Sequence, residues 1–282
     1  MSFAIVTDST CDLPLEDAAA MGVTIVPLTI DIAGGSHLDQ VELSSARFYE
    51  LMAASEDLPR SACPKPFDFM EVYKQQAAQG ADGVLVLNIA ETLSGTVGAA
   101  RLAAKDVDVP VTVIDSMGCT VQLALLIQKA VELRDAGKSL EETATTIEAY
   151  VKNTRFLVAC DTLENLLKGG RLAQDDADTA SKLNIKPIFT FDETGRIKPF
   201  DKARGMNGAR KAIIAALQKE AEQKGKLRIA FGHCDAPKEA EKLKVAVAEA
   251  DIEFEDAGTY LCGATIGTHL GAGALCVACA SA

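Results

Sequence analysis

Tryptophan is absent from this 282-residue chain, and aromatic residues make up 5% of it. Stacking platforms for nucleic-acid bases are therefore scarce, and a ligand pocket has to be walled by aliphatic side chains instead. Basic charge is also in short supply: 28 Lys and Arg stand against 40 Asp and Glu, for a net charge of −12. A field of that sign opposes phosphate backbones and anionic lipid surfaces. No apolar run approaches the roughly 20 residues of a membrane span, and Met1–Asp8 lacks the basic start of a secretory leader. A soluble, cytoplasmic protein is expected. His37, His233 and His269 show no metal-binding spacing with acids, which argues against zinc. The eight cysteines are scattered, and without a leader they are expected as free thiols. Cys276 and Cys279 have CxxC spacing but follow an apolar, Gly-rich stretch, so buried strand packing is expected rather than a redox or metal role.

What the chain does have is a composition of 48% hydrophobic and 24% charged residues, that of an ordered globular protein, at a length that suits two domains. Phe3–Thr7, Gly83–Asn88 and Val111–Ile114 are short aliphatic runs that read as buried parallel strands. Helical patterns lie at Phe67–Gln79, Gly95–Ala104 and Gly118–Ala136, with Gly80 and Gly137 at their C-caps. This repeated strand-loop-helix predicts a doubly wound parallel sheet. Beyond Val158 the texture changes: Val158–Cys160, Ile188–Phe191, Arg196–Pro199, Arg228–Phe231 and Ala274–Cys279 read as extended, Asn207–Lys224 and Lys238–Ala250 as helical. The Phe191–Ile197 segment reads as a hairpin turn around Gly195, and hairpins belong to antiparallel sheets. The expected fold is α/β: residues 1–156 as an N-terminal parallel-sheet domain, 157–282 as a C-terminal domain with a mainly antiparallel sheet, and a ligand between them. Asp175–Ala180 reads as a polar loop.

Ligands of open α/β sheets bind outside the carboxyl ends of the strands, which here means Asp8-Ser9-Thr10, the stretch Thr92–Thr96, and Asp115-Ser116. Ser94 sits where a helix N-cap would fall, and the backbone N–H groups of Gly95 and Thr96 would point toward the strand ends, a place for a carboxylate or phosphate; alternatively Ser94 only caps its own helix. His269 stands among three glycines between Ile266 and Gly273, which implies close backbone approach; it is either a structural hydrogen-bonder or a functional group. Arg171, after Gly169 and Gly170, either meets a carboxylate, latches the two domains, or is an exposed C-capping base. Gly137-Lys138-Ser139 imitates the end of a phosphate loop, but Glu132 occupies the position of the required first glycine.

At these residues the chain resembles the DegV family from end to end. The markers are Ile5-Val-Thr-Asp-Ser9 with Asp12-Leu-Pro14, Pro27-Leu28, Ser61-Ala-Cys-Pro64, Leu93-Ser-Gly-Thr96, Val113-Ile-Asp-Ser116, Thr162-Leu163 with Gly169-Gly-Arg171, Lys186-Pro-Ile188 and Ile266-Gly-Thr-His-Leu-Gly271. The resemblance implies a long-chain fatty acid buried between the two domains, no other cofactor, and service as the carrier subunit of a bacterial fatty acid kinase whose separate subunit brings ATP. By position, Ser94 resembles the serine that hydrogen-bonds the acyl carboxylate, Ser61 stands where the family usually has a carboxylate-binding threonine, and His269 resembles the histidine completing that network. Arg204, with Lys202 beside it, resembles the arginine that meets the kinase. Two departures stand out: the family's Thr-Ser-Gln-Pro is Ser61-Ala62-Cys63-Pro64, and Ala272 replaces the usual proline of the histidine loop.

A different class of function is a hydrolase or acyl transferase with Ser94 as nucleophile, His269 as base and Asp8 or Asp115 as orienter; Thr92 stands where the nucleophile elbow needs a glycine. A small-molecule kinase would need the phosphate loop that is missing. Lys198, Lys202, Arg204, Arg210 and Lys211 form a basic run in an acidic protein, read either as a docking face or as an ordinary solvated helix face.

Overall fold

The computed structural model describes residues 3–172 and 184–282; the polar loop expected at Asp175–Ala180 lies outside them. Four parallel strands, β1 (Ala4–Asp8), β2 (Val23–Val26), β6 (Val84–Asn88) and β7 (Val111–Asp115), form one sheet in the order β2-β1-β6-β7. Every residue of β1 and β6 is buried, which is why these two strands read as unbroken aliphatic runs. The winding reverses between them, so the switch point where α/β folds bind ligands lies at the ends of β1 and β6. A small antiparallel sheet, β4-β3-β5, is made by β3 (Thr29–Ile32), β4 (Gly35–Leu38) and β5 (Arg60–Ala62).

The second half contributes β8 (Arg155–Ala159), β9 (Ile185–Phe191), β10 (Ile197–Arg204), β11 (Leu227–His233), β12 (Phe254–Leu261) and β13 (Leu275–Ser281), in the order β10-β9-β8-β13-β11-β12. Every pairing is antiparallel except β11 with β12. The mixed sheet starts at Arg155, and the doubly wound sheet and the mainly antiparallel sheet are both as expected.

Helix α5 (Val121–Asp135) lies between the two sheets. All its residues from Val121 to Ile127 are buried, all but Gln122 are apolar, and such a helix needs cover on every side. Val121 and Leu125 pack into the core that holds Phe156, Val158 and Cys276, whereas Leu123, Leu126 and Ile127 pack with Ile5, Leu85 and Leu87 of the parallel sheet.

The periodic helices are present as α3 (Pro66–Ala78), α4 (Thr96–Ala103), α8 (Gly205–Lys224) and α9 (Pro237–Ala248). Helix α6 (Leu140–Asn153) was not read from periodicity, although Ser139 opens it: its hydroxyl accepts from Glu142 N, and the Glu142 carboxylate accepts from Ser139 N, a capping box. Cys276 and Cys279 both sit in β13, three residues apart and therefore on opposite faces. Each is buried in a different core, so the CxxC spacing is strand packing, and all eight cysteines are free.

Because α5 belongs to both cores, Leu125→Ala is expected to cost about 2–5 kcal/mol and to lower both sheets in a single urea transition. Two separated transitions in the wild type would show that α5 does not couple them.

Candidate ligand site

Ser61, Ser94, Arg171 and His269 come from four stretches of chain and meet on the wall of one cavity of about 60 Å³. Its remaining wall is mainly aliphatic, from Leu28, Ile89, Leu93, Leu166, Ile197, Ile266 and Leu270, with Cys63, Cys119 and Thr265. That volume is smaller than the slot expected for a long chain. A wider groove of about 1010 Å³ adjoins it through Ser61, Arg171 and His269, so the polar end of the cavity is the end that faces outward.

Ser61 is placed by β5, where it pairs opposite Ile30 of β3. Strand alternation turns Ser61 and Cys63 to the same side, and both line the cavity. His269 sits in the last turn of α10 (Ala264–Leu270), so the stretch read as a tight Gly-rich path is a short helix with Gly263 at its N-cap and Gly271, at φ 74°, at its end. The ring reaches Ser61: Nε2 lies 2.8 Å from Ser61 Oγ. Nδ1 is buried without a hydrogen-bond partner among the described residues. Gly169 passes so close that a Cβ there would lie 2.7 Å from His269 Nδ1, which is why that position needs a glycine. Burial, then the nearby Arg171 charge, hold the imidazole pKa down to about 4. His269 is thus a neutral ring at physiological pH.

Arg171 is half-buried and not exposed, though it does cap the C-terminus of the helix that ends at Lys168. Its Nη1 donates to the Gly169 carbonyl at 2.6 Å and its Nε to the Leu93 carbonyl at 3.3 Å, joining the loop after α7 (Glu164–Lys168) to the loop after β6. Ser94 lies in that second loop. The N-cap of α4 is Gly95, not Ser94, because Leu93 N and Ser94 N both bond the Ala90 carbonyl and the turn delays the helix by one residue. The Ser94 hydroxyl pairs instead with Thr96 Oγ1 at 2.8 Å. Thr96 is fully buried behind it, and neither Gly95 nor Thr96 lies on the cavity wall.

The hydrolase geometry is not assembled. Ser94 is bonded to Thr96 and His269 to Ser61. Asp8 accepts from Thr10 N, Asn88 Nδ2 and Ile89 N, Asp115 from Glu91 N and Met117 N; both tie down strand-end loops and neither orients His269. A base with a pKa near 4 also has little drive to take a serine proton at neutral pH.

The basic run does not form one face. Arg210 is paired with Glu239. In β10 a bulge between Pro199 and Asp201 shifts the register, so Lys198 pairs opposite Thr190 while Lys202 and Arg204 pair opposite Pro187 and Ile185. Cross-strand partners share a face, which puts Lys202 and Arg204 on the face of Phe189 and Phe191 and Lys198 on the other. Lys202 and Arg204 are exposed on the edge strand, and Arg204 stands roughly 20 Å along it from Ile197 on the cavity wall. Sequence reading missed Leu28 and Cys119 as wall residues and Asp39 and Asn165 as supports, because each acts through a contact distant in sequence.

The family model described as "Uncharacterised protein, DegV family" matches residues 2–282. A DegV domain-containing protein of Deinococcus radiodurans is 37% identical over 278 residues, 99% of this chain and 98% of the relative. Among solved structures, a DegV family protein from Thermus thermophilus, described by its fatty acid binding, is 32% identical with a TM-score of 0.93 over 100% of both chains. DegV from Bacillus subtilis, described as a fatty acid binding protein, is 30% identical with a TM-score of 0.88 over 100% of both.

An imidazole held below its ordinary value of 6.5 binds fewer protons in the folded than in the unfolded chain between pH 6.5 and about 4, so its contribution to stability is lost as pH falls through that window. The difference in unfolding free energy between wild type and His269→Gln is expected to swing against the wild type from pH 6.5 to 4. A difference that stays constant across the window would refute a buried neutral ring.

Proposed function

This chain belongs to the DegV family, and on that premise we propose that it binds a long-chain fatty acid between residues 1–156 and 157–282, with the carboxylate at Ser61, Ser94, His269 and Arg171. The observation that carries the reading is a mainly aliphatic cavity on whose wall Ser61, Ser94, His269 and Arg171 bring together two hydroxyls, a neutral imidazole and a guanidinium. A neutral ring can donate from Nε2 to Ser61 Oγ, which leaves the Ser61 proton for the carboxylate; the guanidinium and the N-terminal end of α4 at Gly95 and Thr96 add positive potential. Burying a sixteen-carbon tail is worth about 0.8 kcal/mol per CH₂, roughly 12 kcal/mol gross, less association and ordering costs. The tail therefore supplies affinity and the polar end orientation. At about 60 Å³ the cavity admits such a tail only by parting Leu28, Ile89, Leu93 and their neighbours.

The carrier role follows from the same reading: a separate ATP-dependent kinase subunit docks on Lys202 and Arg204 and phosphorylates the carboxylate to an acyl phosphate, with this chain supplying no nucleotide site. Among the described residues no helix is long and apolar enough to cross a membrane, in keeping with a carrier that takes the acid into its own interior.

Organic extracts of the purified protein are expected to contain long-chain acids by mass spectrometry, and Ser94→Ala is expected to bind palmitate more weakly in calorimetry with its fold intact. Lipid-free extracts together with no palmitate binding by the wild type would sink the proposal. For the partner, Arg204→Ala is expected to recover much less kinase subunit in a pull-down than wild type; equal recovery removes this docking face.

A further inference from the structure

The helix that carries His269 is a poor helix by itself. It has seven residues, Gly263 and Gly271 at its ends and Gly267 in its middle, and an isolated helix of that length does not persist in water. Its N-terminus is held by two buried carboxylates from early in the chain. Asp12 accepts from Gly263 N at 2.8 Å. Asp39 accepts from Ala264 N and Thr265 N, both at 3.2 Å, and from Thr265 Oγ1 at 2.6 Å. Asp39 is itself 0% exposed and fixed in place, since Ser9 Oγ donates to it at 3.0 Å and its own N–H bonds the Leu28 carbonyl at 2.9 Å.

What else is built on the same sheet gives this clamp its meaning. Asp39 directly follows β4, and β5 of that sheet carries Ser61. One short helix is thus joined to one small sheet at two points, through Asp39 at its first turn and through the Ser61–His269 hydrogen bond at its last. Between them Gly267 lies against α2 (Ser45–Ala54), where a Cβ would come within 2.6 Å of the Phe48 ring and 2.7 Å of the Tyr49 hydroxyl. At the far end Asn165 Nδ2 donates to the Thr268 carbonyl at 3.0 Å.

We propose that Asp39 is a positioning residue of the headgroup site: by fastening the first turn of the His269 helix to the sheet that carries Ser61, it sets the Ser61–His269 hydrogen bond and so the orientation of the bound carboxylate. Only a carboxylate suits the place. Four donors converge on two acceptor oxygens, and an amide would offer one acceptor and turn an NH₂ group toward backbone N–H groups.

The inference rests on the fatty-acid reading for its binding arm alone; the arm that reads His269 needs no ligand. In wild type, long-range proton–nitrogen spectra of imidazole-labelled protein are expected to show His269, assigned by its loss in His269→Gln, locked in one tautomer. In folded Asp39→Asn, checked by circular dichroism and a cooperative melt, the His269 signals are expected to shift or divide between tautomers. Palmitate affinity is expected to fall roughly tenfold, as for a lost hydrogen bond to a charged group. Unchanged His269 signals in folded Asp39→Asn would overturn the proposal whatever the affinity. Should Asp39→Asn fail to fold, Thr265→Val removes one donor to Asp39 and decides by the same reading: displaced His269 signals support the clamp and undisturbed ones overturn it. If wild type binds no palmitate, the ligand reading fails while the His269 spectra still judge the clamp.

Discussion

Helix α5 is apolar but for Gln122 along its first two turns, and such a segment exists in water only if both of its flanks are covered. The parallel sheet covers one flank and the mixed sheet the other. The rest of the architecture follows from this demand. The carboxyl ends of β1 and β6 are brought toward the mixed sheet, and the residue that precedes α5 by two positions, Cys119, becomes part of the ligand cavity. The Gly195 turn of the β9–β10 hairpin reaches across to the same loops: its carbonyl accepts from the Thr92 hydroxyl, and at φ 78° a Cβ on Gly195 would lie 3.1 Å from Met117 Cα. Only a glycine makes that approach without strain.

Within this frame the polar end of the cavity brings together hydroxyls, an imidazole and a guanidinium. Burial keeps the His269 ring uncharged, so it serves as a hydrogen-bonding partner for Ser61 and not as an acid. Desolvating a headgroup is costly unless its lost water contacts are replaced, and the groups proposed to replace them come from elements that share no local sequence: β5, the loop after β6, the loop after α7, and α10. Their mutual geometry is maintained by buried acids that contact no cavity space. Asp8 gathers the strand-end loops, and Asp39 gathers α10. Burial pushes the pKa of both upward against the hydrogen bonds they accept.

Legibility followed burial. β1, β6 and β13 were readable because strands with covered faces are written in aliphatic residues, and the half-buried β7 because it too is aliphatic at Val111, Val113 and Ile114. β5 is three residues long, with Arg60 and Ala62 exposed and Ser61 half-buried; it exists because β3 pairs with it, and nothing in Arg60-Ser61-Ala62 announces a strand. Helix α6 was missed although Ser139 and Glu142 carry its start signal. Ser94 was placed one residue too far into the helix, since the Ala90 turn that delays α4 has no clear mark in sequence. The basic run looked continuous because a β-bulge, which moves Lys202 and Arg204 to the face opposite Lys198, leaves no signature in residue type.

The sequence alone determined the α/β class, the parallel first sheet, the hairpin-built second sheet, the aliphatic character of any pocket, and Ser94, Arg171 and His269 as residues to watch, with Ser61 added only by the resemblance to the DegV family. These properties are local or compositional: side-chain periodicity and apolar content act over a few neighbouring residues. Tertiary structure decided which of those residues meet, that His269 pairs with Ser61 and not with Ser94, that its ring is neutral, and that Asp39 holds its helix. Each of these rests on contacts between segments as much as 226 residues apart, and such contacts are chosen by the packing of whole elements around α5 and not by anything the residues show in their own stretch of chain.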